Sequence, residues 1–334
     1  MKPQRLKKGE SIREGLVLTR GVGPLSKGRA LTAADVRALA DLPWSELSVI
    51  ELEPGDVHEA EAGKRIATAA AGEGIEVRPM DGGSFPLAAT AAGILEVAAD
   101  RMAQVNLVPD LALYTHPRGY VASAGDVVGR VKVVPFVTRE DRVAPAEALA
   151  RGAVRIRPFV PLRCSLLVQE ELAEDALARA RKAFAAKLSY FGSELGTARL
   201  VPASAEGLAQ ALREEREQGT RVVVVAGSRS MDPADPVLGA LPAAGAAMVK
   251  HGVPVYPGTL LWVAQMGDAT IVGAPSCGIF SKVSSLDVVL PRIMTGARLS
   301  AEDLAALSLG GLIAPEVSYR LPRYQSGLGR GQLE

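Results

Sequence analysis

The chain of 334 residues carries 38 Lys and Arg against 37 Asp and Glu, a formal charge of +1, and is 48% hydrophobic but only 4% aromatic. At roughly 100–200 residues per domain, that length allows about two or three domains, with cores built on Ala, Val and Leu. So balanced a charge gives no basis for nucleic-acid binding, which calls for a basic stripe or a clearly basic domain, so an anionic ligand has to be small and held locally. Two cysteines, Cys164 and Cys277, have neither disulfide nor metal-ligand spacing and suit a reducing compartment. The charged start MKPQRLKKGESIREG is followed by no signal-type apolar run. No apolar stretch is long enough to span a bilayer. The expectation is a cytoplasmic protein with neither membrane nor nucleic-acid partners.

Residues 1–78 read as a small α+β unit. Strand character appears at 15–19 and 47–52, and helical spacing at 33–42 and 59–71. Thr32, with Asp35 three residues on, is a helix-start signature. Residues 79–160 read as a β-rich domain and linker, with strands at 92–97, 111–115 and 127–137. The stretch 138–163 concentrates Arg and Pro and is the expected hinge. Residues 161–322 read as an α/β domain, and 323–334 as a tail. Strands are predicted at 165–169, 197–201, 221–226, 260–265 and 269–273. Helices are predicted at 172–188, from Ser204 to Gln218, at 236–250 and 284–294, with a further one at 300–309. The run RVVVVA at 221–226 has the fully apolar character of a strand buried on both faces. This alternation predicts a three-layer domain, a mostly parallel sheet with helices on both faces.

In such sheets ligands bind outside the carboxyl ends of the strands, and three polar loops leave those ends. The first is Gly227-Ser228-Arg229-Ser230-Met231-Asp232-Pro233. Gly227 lets the backbone approach a ligand, while Ser228, Arg229 and Ser230 offer phosphate donors. Asp232 is a candidate for a Mg²⁺ bridged to phosphate; Asp232 or Ser230 would serve equally well as a helix cap. The second runs from Gly273 through Pro275, Ser276 and Cys277 to Ser281 and Lys282, with Ser276, Ser281 and Lys282 compatible with phosphate. Cys277 has no neighbouring base and reads as a bystander. The third is Gln169-Glu170-Glu171, where Glu170 either faces the same cleft or complements a helix dipole. His58, His116 and His251 are scattered, and His251 is expected at a helix end. Asn106 and Arg118 read as structural.

The stretches SLLVQEELA, VVVVAGSRSMDPADP and HGVPVYPGTLLWVAQMGDATIVGAPSCGIFSK resemble the molybdopterin-binding (MoaB/Mog-type) domain of molybdenum-cofactor biosynthesis, over about 164–296. Fainter likeness upstream, in PLSKGRALTAADVRALADL, QVNLVP and GDVVGRVKVVPF, resembles a subgroup of stand-alone molybdopterin-binding proteins. The resemblance implies a MoaB/Mog-like α/β fold and binding of molybdopterin or its adenylylated form. It further implies a molybdate-inserting transferase with catalytic and Mg²⁺-holding Asp232 and Glu170. Gly227, Ser228, Arg229, Ser230, Pro275, Ser276, Ser281 and Lys282 would then bind substrate. A homodimer and a client molybdoenzyme are the implied partners. The chain departs from the family pattern where Ala226-Gly227 replaces a double Gly, Pro275-Ser276 replaces Pro-Gly, and Gln169-Glu170 replaces Gly-Asp. Added side chains narrow a backbone-lined cradle, and a longer carboxylate shifts a metal. These departures keep open a non-catalytic carrier or maturation factor. A nucleotide hydrolase is the third alternative.

Overall fold

The computed structural model of the protein describes residues 1–80, 83–169, 174–227, 231–274 and 283–324. In chain order its first elements are β1 (Lys2–Lys7), β2 (Val17–Leu18), α1 (Ala33–Asp41), β3 (Glu46–Glu51), β4 (Asp56–His58), α2 (Glu59–Ala70), β5 (Ile75–Val77) and β6 (Ser84–Ala89). There follow β7 (Gly93–Val97), α3 (Ala99–Leu107), β8 (Leu111–Thr115), β9 (Val121–Ala122), β10 (Val127–Val133), β11 (Val137–Arg139), α4 (Glu140–Ala150) and β12 (Val154–Pro158). The rest are β13 (Arg163–Val168), α5 (Glu174–Ser189), β14 (Glu194–Leu200), α6 (Ala205–Glu217), β15 (Val222–Ala226), α7 (Pro236–Ala243), β16 (Ala247–His251), β17 (Trp262–Met266), β18 (Ala269–Ala274), α8 (Ser285–Ile293) and α9 (Ala301–Ala305). The result is a mixed α/β structure with several sheets. It divides into a first unit, Met1–Ala91 with Leu95–Arg118 and Ala122–Arg157, and a second, Pro158–Glu334 with Ala92–Ile94 and Gly119–Val121.

The first unit holds an antiparallel sheet β1-β3-β2, a four-stranded antiparallel sheet β5-β6-β10-β8 and the pair β11-β4. Helix α1 starts at Thr32, whose hydroxyl accepts the Asp35 N–H at 3.2 Å while Asp35 Oδ2 accepts the Thr32 N–H at 3.0 Å, the reciprocal cap expected from the spacing. Where the sequence suggested a β-rich domain, α3 forms without a side-chain cap and buries only Val105. Where it suggested an Arg- and Pro-rich linker, α4 forms with Pro145 in its interior. Its stability comes from packing and charge: Arg65 of α2 donates to Glu140 at 2.7 and 2.8 Å and to Glu147 at 2.9 and 3.0 Å. The predicted strand 127–137 divides into β10 and β11, with Pro135, which has no N–H to give a ladder, between them. The highly charged β1 escapes detection because an edge strand needs one apolar face at most.

The second unit is built on a six-stranded sheet in the order β14-β13-β15-β18-β17-β16. Strands β14, β13, β15 and β18 run parallel, β17 runs antiparallel to β18, and β16 runs antiparallel to β17 and so in the direction of the first four. All five residues of β15 are buried. Their alternation divides the core in two. Leu166, Val168, Val222 and Val224 pack with Phe184 and Leu188 of α5 and with Val289 and Leu290 of α8. Leu167, Val223, Val225 and Ile271 pack on the other face with Leu208 and Leu212 of α6 and with Val237 and Leu241 of α7. Each such side chain stabilises the fold by about 1.5–3 kcal/mol.

Helix α7 stops at Ala243, short of the predicted 236–250. Gly245 adopts φ +76°, its N–H reaches Pro242 O at 3.0 Å, and the Ala246 N–H reaches Leu241 O at 2.8 Å, closing the helix through a left-handed residue. The chain then runs into β16 beside β17, so His251 ends a strand rather than a helix.

One ion pair lies wholly inside this unit. Lys187 Nζ of α5 meets Asp287 Oδ1 of α8 at 2.7 Å with both side chains at 0% exposure. Asp287 also accepts the Tyr324 hydroxyl at 3.0 Å and, through Oδ2, the Ser284 N–H at 2.8 Å. Burial and the Asp287 charge together push the Tyr324 hydroxyl pKa upward.

Two predictions follow from these contacts. Lys187→Met leaves a buried carboxylate without its counter-charge and should cost about 3–5 kcal/mol, read as an earlier denaturant midpoint for the second unit; a midpoint shift near zero would show the pair to be dispensable. In the first unit, the Arg29 guanidinium, 2.9 Å from Asp35, and the Thr32 N–H hold the Asp35 carboxyl down at about 2 against a usual 3.8. A lowered folded-state value means a contribution complete above pH 3.8 and lost as pH falls through about 2. Carboxyl NMR titration should place the Asp35 midpoint near 2, and Arg29→Ala should move it toward the usual value.

Candidate functional site

The carboxyl ends of three parallel strands coincide. Val168 of β13 pairs with Ala226 of β15, and Ala226 pairs with Ala274 of β18. The ladder runs one residue further, as the Gln169 N–H donates to Ala226 O at 2.9 Å and the Gly227 N–H to Ala274 O at 3.2 Å. Hydrogen-bond register therefore sets the starts of the three predicted loops side by side, at the place where open α/β sheets bind ligands.

Gly227 and Asp232 are the two predicted site residues that the structure describes. Glu170, Ser228, Arg229, Ser230, Pro275, Ser276, Ser281 and Lys282 lie outside the described residues, as does Cys277. Gly227 adopts φ +86°, a conformation that a side chain would strain. Ala226, which occupies the place of a second glycine, is fully buried in the core on the α5 and α8 face. Its methyl group belongs to that core.

Asp232 is half-buried and shapes a turn: its Oδ1 accepts the Ala234 N–H at 2.9 Å and its carbonyl accepts the Asp235 N–H at 3.0 Å. The helix cap that the sequence offered to Asp232 or Ser230 belongs to Asp235, whose Oδ1 accepts the Val237 N–H at 2.8 Å, with Pro236 at the first helical position. Asp232, Asp235, Met248, His251 and Trp262 line a shallow, open pocket with room for about one water molecule. Trp262 faces Gly273 across the β17-β18 pair, and a Cβ on Gly273 would fall 1.8 Å from the indole. Trp262, one wall of the pocket, thus lies against the residue just before the end of β18.

The segment after the second loop is held by α8. The Ser285 N–H donates to Pro257 O at 2.8 Å and the Ser285 hydroxyl to Gly258 O at 2.6 Å. Gly258 has φ +105°, and a Cβ there would lie 2.3 Å from Ser285 Oγ. The stretch GVPVYPG, residues 252–258, therefore anchors the start of α8, and the buried Asp287 completes the anchor by capping Ser284.

Gln169 is the residue whose importance the sequence reading missed. It is 9% exposed, and its Nε2 has no hydrogen-bond partner among the described residues. Composition and spacing give no sign of this, because the signal lies in burial. Cys164 is buried, and desolvation pushes its thiol pKa up to about 12, which makes it inert as a nucleophile. In the first unit, His58 Nδ1 accepts the Ala60 N–H at 3.2 Å and its Nε2 meets Gly28 O at 2.8 Å, so its role is to cap α2. Asn106 clamps α3 to β8 through Met102 O and both backbone groups of Leu113, a structural role. Among the described residues there is no group of three or more His, Cys, Asp and Glu able to hold a metal, and no helix long and apolar enough to cross a membrane.

No family model and no curated protein matches the chain. Among solved structures it is similar to the molybdopterin biosynthesis MoeA protein of Pyrococcus horikosii, at 15% identity over 72% of this chain and 79% of that one, with a TM-score of 0.30. It is also similar to molybdenum cofactor biosynthesis protein B, at 12% identity over 41% of this chain and 94% of that one, with a TM-score of 0.31. For MogA the identity is 13%, over 43% of this chain and 99% of that one, with a TM-score of 0.29.

Proposed function

We propose that this chain binds molybdopterin, or its adenylylated form, at the carboxyl ends of β13, β15 and β18 and takes part in molybdenum-cofactor biosynthesis. The observation that carries the reading is the register that aligns those three ends, from which the loops resembling molybdopterin-binding domains depart. The strand-end glycine at Gly227 keeps its left-handed backbone, as close approach of a phosphate requires. Ser228, Arg229, Ser230, Pro275, Ser276, Ser281 and Lys282 are the proposed contacts to phosphate and pterin.

In the transferase version, molybdate enters the dithiolene as AMP leaves, with Asp232 and Glu170 as the acidic groups. Asp232 is half-buried with one carboxylate oxygen engaged by backbone. Mg²⁺ sites draw on one or two carboxylates plus substrate phosphate, so Asp232, the described carboxylate, is compatible with a cation that arrives with the nucleotide. Bound Mg²⁺ would neutralise phosphate charge. Asp232 would orient it, while the turn it makes with Ala234 keeps that carboxylate in place. A carrier version uses the same contacts and hands the cofactor on unchanged to a client molybdoenzyme. Gln169-Glu170 in place of Gly-Asp favours it, since a bulky buried amide stands where the acidic motif begins.

Molybdate-dependent release of AMP from adenylylated molybdopterin separates the two. The transferase version predicts turnover by the full chain, and a loss of about 10²-fold in Asp232→Asn, which keeps an oxygen for the Ala234 N–H but removes the charge. Tight binding without AMP release leaves the carrier version; absence of binding contradicts both.

A further inference from the structure

The second unit buries a hydrogen-bond donor that no described residue accepts. Among the described residues, four buried side-chain atoms have no hydrogen-bond partner: Asp56 Oδ1, Ser165 Oγ, Gln169 Nε2 and Glu215 Oε1. Three of them have ordinary settings. Asp56 Oδ1 lies 3.7 Å from the Arg139 guanidinium. Glu215 accepts the Thr220 hydroxyl at 2.8 Å through its other oxygen. Ser165 sits in mid-strand, between its register partners Thr197 and Val223. Gln169 differs in place: it is the first residue beyond β13, beside the end of β15, with the end of β18 one strand further on.

Its backbone still follows the ladder through the bond to Ala226 O. The strand alternation, with Leu167 on the α6 and α7 face and Val168 on the other, gives Gln169 a position on the α6 and α7 face. Trp262, which lines the Asp232 pocket, packs on that same face. A carboxamide carries two N–H donors, and leaving one buried and unmet is costly, so native interiors rarely do it. At a strand end a glutamine has water available to it; burial removes the water, and no described residue replaces it.

We propose that Gln169 is a specificity-determining ligand contact, donating its Nε2–H to an acceptor oxygen of a bound molecule at the strand ends. The acceptor is a phosphate oxygen or a ring carbonyl of the pterin phosphate. This rests on the binding reading above and adds to it a neutral donor that discriminates by hydrogen bonding rather than by charge. A site that hydrogen-bonds its ligand rejects analogues lacking the acceptor, because its own donor is then left unpaired.

The test compares the full chain with Gln169→Met, which keeps the volume and removes the amide, by calorimetric titration with three probes: molybdopterin, a dephosphorylated pterin and inorganic phosphate. The expected result is a loss of about tenfold in molybdopterin affinity with no fall in melting temperature, since the removed donor has no partner among the described residues. With molybdopterin affinity reduced, a parallel loss for inorganic phosphate assigns the acceptor to phosphate, and a parallel loss for the dephosphorylated pterin without one for phosphate assigns it to the ring; either supports the contact. Equal molybdopterin affinity in the two proteins overturns the inference while the binding reading stands. A melting temperature lowered by more than about 4 °C also overturns it, because the amide would then be holding the fold. If the wild-type chain binds none of the probes, the binding reading fails and the inference with it.

Discussion

The in-register parallel ladder of β13, β15 and β18 is the constraint on which the second unit depends. These strands are buried on both faces, so a slip of one residue would exchange the side chains that face α5 and α8 with those that face α6 and α7. The two cores are not interchangeable. Trp262 fits only over a residue without a side chain, Gly273, and the aromatic and charged groups around Lys187 belong to the other face. Packing therefore sets register, and register sets the common level at which three strands end. A binding site placed at that level inherits its geometry from the core.

The segment that returns to the sheet after the second loop is held with equal care. The GVPVYPG stretch and the start of α8 are bonded through Ser285, and Asp287 joins cap, buried lysine and Tyr324 into one group. A buried ion pair does little for net stability, because desolvation offsets much of its attraction. What it supplies here is position: a carboxylate with this many donors permits one arrangement of the α8 start.

Much of the second unit was legible in the sequence. Strands buried on both faces read as apolar runs, and VVVVA is the plainest of them. Ser204 and Ser284 announce their helices through short-range caps. The reading went astray where a local signal was outweighed. Residues 236–250 keep helical composition, yet Gly245 takes a left-handed backbone and ends the helix, which makes an edge strand of the rest. In the first unit, α4 tolerates Pro145 because Arg65 ties it to α2, a contact across 75 residues that no local window contains. The site shows the same division. The strand ends and Gly227 follow from pattern and backbone chemistry. The cap was expected at Asp232 or Ser230 and is made by Asp235 instead, and the Gln169 amide, unmet among the described residues, follows from burial alone.

The central claim is that these aligned strand ends hold a pterin phosphate. Native mass spectrometry of the full chain purified from a molybdopterin-producing host tests it most directly. The account predicts a co-purifying species with the mass of molybdopterin or its adenylylated form, absent when the chain is made in a host unable to synthesise molybdopterin. A spectrum identical from both hosts, with no pterin mass in either, would contradict it.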